Sequence, residues 1–175
     1  ILSTCNRTEV VATGPSASDA EAAAVEFFRS RVKDSISIDP HLYRLQEHDA
    51  VLHLFRVAAS LDSLVVGETQ ILGQVKTAYQ SAREAGLAGP TMQRLFDKTL
   101  SVAKRVRSST RVGHASLSVA SLAVEALDKA LGGLEGRSLL VIGAGKMGEQ
   151  ALHKVRKLGA PVVFLANRTL QHAWG

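Results

Sequence analysis

Ser138-Leu139-Leu140-Val141-Ile142 runs without interruption into Gly143-Ala144-Gly145-Lys146-Met147-Gly148, and no other stretch narrows the choice of fold so far. The glycine-rich turn opens a helical run through Leu158, and a second apolar segment follows at Val162-Val163-Phe164-Leu165-Ala166. Strand, turn, helix and strand in that order describe a parallel βαβ unit with a dinucleotide-binding turn. Gly143 permits the sharp turn, Gly145 lets a pyrophosphate approach the backbone, and Gly148 lets the helix pack closely on the strand. Backbone amides at the helix start then meet the diphosphate, so Gly143, Ala144, Gly145, Lys146, Met147 and Gly148 form the expected cofactor-binding turn. The bland alternative is a strand-to-helix turn with no ligand. NAD sites commonly place an acid at the end of the second strand, whereas this chain has Asn167-Arg168-Thr169. A guanidinium between an amide and a hydroxyl suits a 2′-phosphate and favours NADP(H) over NAD(H), although Arg168 taken alone is equally a solvated surface charge.

This βαβ unit occupies only the end of the chain. The 175 residues, 46% of them hydrophobic, suffice for one full core and part of a second. The abrupt start at Ile1 and the few residues after Ala166 lead to the expectation of further sequence on both sides. A formal charge of +5 is compatible with nucleic acid as a partner without requiring it. Charges interrupt every apolar stretch before the roughly 18 residues that a membrane helix needs, so no membrane insertion is expected. Six scattered histidines, one cysteine, Met92 and Met147 make no ligand pattern, and no metal is expected.

Ahead of the βαβ unit the pattern is helical. A helix is expected from about Asp19 to Val32, with Ala23, Phe27 and Phe28 inward, followed by a short strand from Pro40 to Leu45. Val51, Leu54, Phe55 and Ala58 recur at helical spacing, as do Ile71, Val75, Ala78 and Ala82, and then Met92, Leu95, Phe96, Leu100, Ala103 and Val106. Gly86 to Pro90 separates the last two runs. Ser116 or Ser118 caps a further helix to about Leu131, which Gly132-Gly133 ends.

The single cysteine lies in Ser3-Thr4-Cys5-Asn6-Arg7-Thr8-Glu9, between the apolar pairs Ile1-Leu2 and Val10-Val11. A lone thiol cannot close an intrachain disulfide, which leaves a small buried side chain, an intermolecular crosslink or a nucleophile. Thr4, Asn6 and Arg7 supply local donors for an anionic substrate group. The run from Ser3 to Glu9 resembles the active-site signature of the glutamyl-tRNA reductase family. The resemblance continues through His53-Leu54-Phe55-Arg56-Val57-Ala58, Leu61-Asp62-Ser63, Val66-Gly67-Glu68, Gln70 to Lys76, Ala103 to Arg107 and the Gly143–Gly148 turn. Only about Pro15 to Pro40 is nondescript.

That resemblance implies an α/β protein in which a small α+β catalytic domain with a helical subdomain is joined by a long helix to a truncated Rossmann-type NADP-binding domain. The corresponding boundaries are 1–112, 113–134 and 135–175. It implies NADPH-dependent reduction of glutamyl-tRNA to glutamate-1-semialdehyde through a cysteine thioester, the entry to tetrapyrrole biosynthesis, in bacterial cytoplasm or plastid stroma. Cys5 matches the nucleophile and His53 the active-site histidine, while Arg7 and Ser63 match residues that hold the glutamyl group. Thr4, Asn6, Glu68 and Gln70 match further substrate-pocket positions. A homodimer of the full-length protein and handoff to glutamate-1-semialdehyde aminotransferase are the implied partners besides glutamyl-tRNA. Two positions depart from the family's pattern: Ser60 stands where glycine is common, and Val11 where tyrosine is common. Ser60 is therefore expected to alter efficiency at most. Arg94, Lys98, Lys104, Arg105, Arg107 and Arg111 form a basic stretch that could meet tRNA phosphates or simply be solvated.

Overall fold

The computed structural model describes residues 1–33, 36–63, 65–68, 70–113, 118–159 and 162–169. The chain divides into two compact units, residues 1–115 and 116–175.

The first unit opens with a minimal antiparallel hairpin, β1 (Leu2–Ser3) and β2 (Thr8–Glu9), paired Leu2 to Glu9 and Ser3 to Thr8. Helix α1 (Ala17–Arg29) follows, started by Ser16, whose hydroxyl accepts the Asp19 N–H at 3.1 Å. No residue of α1 is fully buried. Phe27 and Phe28 are half-buried as expected, but Ala23 is exposed. Ala17, Ala20, Ala24 and Phe28, at helical spacing, line a cavity instead, so the inward face is rotated from the expected one.

The expected strand at Pro40–Leu45 does not form. Asp39–His41 makes a single 3₁₀ turn with proline in its first positions, and the extended stretch after it pairs with no strand among the described residues. Proline's fixed φ and missing N–H suit that tight turn better than a ladder. Side chains pin the segment instead: Arg44 pairs with Asp39 at 2.5 Å and with Glu21 at 3.4 Å.

Three helices supply the core: α2 (Glu47–Ala58), α3 (Gln70–Glu84) and α4 (Pro90–Ser109). Leu2, Val57, Ala58, Ala59, Ile71, Val75 and Ala103 form one buried cluster, and Tyr79, Ala88 and Met92 form another beside it. Fully buried alanines at 58 and 103 let α2 and α4 approach closely. Pro90 starts α4 where its missing N–H costs nothing.

Between α2 and α3 the chain turns through residues 60–68, and Ser60 governs that turn. It is fully buried at φ 63, in the left-handed region that glycine adopts without strain. Its hydroxyl donates to the Glu68 carbonyl at 2.7 Å and accepts from Arg107 Nη1 at 3.1 Å, and Arg107 also reaches that carbonyl. Arg107 is thereby turned inward, apart from the basic residues around it. At the other end Gly67 has φ 89, and a Cβ there would lie 2.6 Å from the Val112 carbonyl oxygen. Ser60→Ala keeps the strain and loses the hydroxyl, so it should cost about 1–3 kcal/mol. Ser60→Gly should melt above Ser60→Ala in thermal denaturation, because it relieves the backbone; the reverse order would contradict this account.

In the second unit Ser118 caps α5 (Val119–Leu131) by accepting the Ser121 N–H, and Gly132 ends it at φ 68. Ser116 lies outside the described residues. Within the stretch 113–134, α5 is the described helix, and it packs along α6 (Lys146–Lys157). Strands β3 (Ser138–Ile142) and β4 (Val162–Ala166) are parallel, with Leu140 opposite Phe164. Val124, the fully buried Leu134 and Val155 pack with Leu139 and Val163 on one face of the pair.

Candidate functional site

Cys5 stands at the tip of the β1–β2 hairpin, and its side chain is exposed. With only two residues per strand, the ladder cannot hold that tip, and Thr4 does so instead. Its hydroxyl accepts the N–H groups of Asn6 and Arg7 at 3.2 and 3.1 Å and donates to the Arg7 carbonyl at 3.2 Å. Thr4, expected to touch substrate, also shapes the turn. The Asn6 side chain makes no hydrogen bond among the described residues.

Below the tip, Glu9 is the hub. It is only 8% exposed, and its Oε1 accepts from the Tyr43 hydroxyl at 2.5 Å and Arg7 Nη1 at 3.3 Å and lies 3.0 Å from His53 Nε2. A buried carboxylate is tolerable only with such compensation. Arg7 Nη1 also meets Asp62 Oδ2 at 2.5 Å, and its Nη2 donates to the Asp62 backbone carbonyl. Partial burial opposes the Arg7 charge, but Asp62 and Glu9 outweigh it and raise the guanidinium pKa. The Arg7 hydrogen bond in turn holds the Asp62 carboxyl below the usual aspartate range. Burial of its hydroxyl end, followed by the bond to Glu9, pushes the Tyr43 phenol well above its ordinary pKa.

Arg7 and His53 thus meet on Glu9, Cys5 stands two residues before Arg7 at the hairpin tip, and Ser63 is half-buried next to Asp62. Glu68 lies at the far end of the same turn and Gln70 opens α3; neither side chain bonds to the Glu9 cluster among the described residues. Sequence reasoning missed Glu9, Tyr43 and Asp62 as site residues. Glu9 and Asp62 stood inside the quoted motifs, whereas Tyr43, 34 positions from Glu9, carried no local signal. A cavity of about 230 Å³ adjoins the cluster, walled by α1, α2 and residues 41–46.

In the second unit the glycine turn has the geometry its sequence asks for. Gly143 has φ 105, and a Cβ on Gly148 would fall 2.0 Å from the Gly143 carbonyl oxygen. A Cβ on Gly145 would meet nothing within 4 Å, which leaves the backbone at the start of α6 open to a ligand. Asn167 braces the turn: its Oδ1 accepts the Ala144 N–H at 3.2 Å and its Nδ2 donates to the Thr169 carbonyl at 2.8 Å. Lys146, Met147 and Arg168 are exposed, and Thr169 is half-buried. Open backbone amides with a close helix–strand contact fit a dinucleotide.

On α4 the side chains of Arg94, Lys98, Lys104 and Arg105 are exposed, as is Arg111 after it, and none joins an ion pair among the described residues. No helix among the described residues is long and apolar enough to cross a membrane.

The fold and site define a two-part protein: an α+β unit with an exposed thiol on a hairpin and a histidine–carboxylate cluster at that hairpin's base, and a Rossmann-like unit. The family model described as glutamyl-tRNAGlu reductase, N-terminal domain, matches residues 1–110, and the one described as shikimate/quinate 5-dehydrogenase matches residues 125–175. The chain belongs to the glutamyl-tRNA reductase family. It is 48% identical to glutamyl-tRNA reductase of Solibacter usitatus over 99% of its own length, and 45% identical to that of Desulfotalea psychrophila over 99%. It spans 41% of the length of each of these two relatives. The solved glutamyl-tRNA reductase of Methanopyrus kandleri matches at 39% identity and a TM-score of 0.46, covering 74% of this chain and 32% of that one.

Proposed function

We propose that the chain carries the thiol site and the nucleotide turn of an NADPH-dependent glutamyl-tRNA reductase acting through a cysteine thioester. The observation that supports this best is the exposed Cys5, held on a hairpin whose base is tied to His53 through Glu9.

In this reading Cys5 Sγ attacks the glutamyl ester carbonyl, a carbon–sulfur bond forms, and the terminal ribose oxygen of tRNA leaves and takes up a proton. His53 is the acid–base group available for that proton or for polarising the carbonyl. Arg7, already tied to Glu9 and Asp62, acts on the glutamyl group through the electrostatics and shape of the cluster. Thr4, Asn6, Ser63, Glu68 and Gln70 complete the substrate pocket. NADPH, when bound, supplies the hydride that takes the thioester to glutamate-1-semialdehyde and returns the thiol. Gly143–Gly148 would hold its diphosphate and Arg168, with Thr169, its 2′-phosphate, while Asn167 keeps the turn in shape.

The exposed face of Arg94, Lys98 and Arg105 is assigned to tRNA phosphates, where contact would be through backbone and shape. The domain division at 1–112, 113–134 and 135–175, a full-length homodimer, and aldehyde transfer to glutamate-1-semialdehyde aminotransferase in cytoplasm or stroma belong to the same proposal.

The test is intact-mass analysis after acid quenching of the protein with glutamyl-tRNA and no NADPH. A glutamyl adduct is expected on the unsubstituted protein and none on Cys5→Ser. No adduct despite folding and tRNA binding would turn the reading toward a regulatory or binding protein.

A further inference from the structure

Arg7 and Tyr43 both donate to the Glu9 oxygen that His53 also meets. Arg7 approaches Oε1 at 3.3 Å, and Arg7 is itself anchored on Asp62. Tyr43 donates to the same oxygen from the segment that Arg44 fastens to Asp39 and Glu21. His53 Nε2 sits on the Tyr43 side, with the two rings meeting edge to face at 5.4 Å.

An ionised carboxylate only accepts hydrogen bonds, so the 3.0 Å contact with Glu9 puts a proton on His53 Nε2. Nδ1 lies 3.9 Å from Asp62 Oδ2, beyond hydrogen-bond reach. A neutral imidazole has one N–H, which leaves Nδ1 with a bare lone pair on the side of the Asp62–Ser63 turn. We propose that Tyr43 is a positioning residue: its hydroxyl keeps Glu9 facing His53, and the pair fixes His53 as the Nε2–H tautomer with Nδ1 as the working nitrogen. Without the hydroxyl, Arg7 draws the carboxylate toward itself and His53 loses the acceptor that selects its tautomer. The raised phenol pKa is consistent with a side chain that stays a donor across the neutral range. The proposal deepens the reductase reading, which uses His53 as its acid–base group, but its test needs no turnover.

The measurement is long-range proton–nitrogen correlation of the histidine rings in the intact chain at about pH 8, where an ordinary imidazole is neutral. The His53 signals are identified by their loss in His53→Gln. The expected wild-type spectrum has Nε2 protonated and Nδ1 bare. In Tyr43→Phe the ratio of Nε2–H to Nδ1–H should fall about fivefold, the equilibrium equivalent of one ordinary hydrogen bond. Tyr43 is 56% exposed and the change removes one oxygen, so folding is not at stake. A wild-type Nδ1–H tautomer, or an unchanged ratio in Tyr43→Phe, overturns the proposal. Absence of the Cys5 adduct in wild type would instead sink the reductase reading, and the tautomer result would be unaffected by it.

Discussion

Gly148→Ala should abolish NADPH binding while leaving Cys5 acylation intact. The added methyl would lie 2.0 Å from the Gly143 carbonyl oxygen, a backbone atom with no rotamer to change. Relief requires α6 to move off β3 by more than an ångström, and α6 also packs on α5. Overpacking of this kind costs about 1–3 kcal/mol and here falls on the turn itself. The same movement withdraws the backbone amides at the start of α6 that would face the diphosphate. Fluorescence titration with NADPH measures the loss, and adduct mass measures the first unit independently. Wild-type NADPH affinity in the variant would show that the nucleotide binds elsewhere.

Arg7→Ala should be the most destabilising change in the first unit. It leaves Glu9, 8% exposed, and Asp62 as neighbouring carboxylates without their shared cation. Removing one member of a buried ion pair costs about 3–5 kcal/mol, a large share of the stability of an ordinary domain. Arg7→Lys should fall between, since an ammonium cannot serve the Asp62 carboxylate and carbonyl as the guanidinium does. The acid response supplies a second check. Asp62 has a folded pKa below its unfolded value, so its contribution is present above the unfolded pKa and is lost as pH falls through the folded one. Its side chain is 39% exposed, so solvent screens the pair. Chemical denaturation at neutral pH and again below pH of about 4 should therefore show wild type losing its advantage over Arg7→Ala. An advantage that persists unchanged would mean that Asp62 does not carry it.

Features written in neighbouring residues were legible in the sequence. The helical runs containing Leu54, Val75 and Ala103 fold as helices on a common core, and Ser118 and Gly132 bound α5. The βαβ order and the contact at Gly148 also followed from local spacing. What escaped depends on distant partners. Pro40 to Leu45 suggested a strand, but no neighbour among the described residues pairs with the segment and Pro40 turns it. Arg107 looked like one of six exposed cations until the turn at Ser60 drew it inward. The Glu9 cluster joins residues up to 55 positions apart, so no window along the chain reports it. The Ser60 departure proved to be a backbone matter: the serine occupies a left-handed position and offsets the strain with two hydrogen bonds.

The brevity of β1 and β2 makes the thiol's geometry a property of the whole first unit. A ladder of two residues on each side has almost no protection of its own, so the hairpin is held by Leu2 in the cluster with Val57 and Ala103 and by Arg7 and Glu9 in the carboxylate cluster. Loosening of that core should therefore disarm Cys5 together with the helices. Hydrogen exchange at the hairpin amides is expected to speed up in step with the loss of helical circular dichroism.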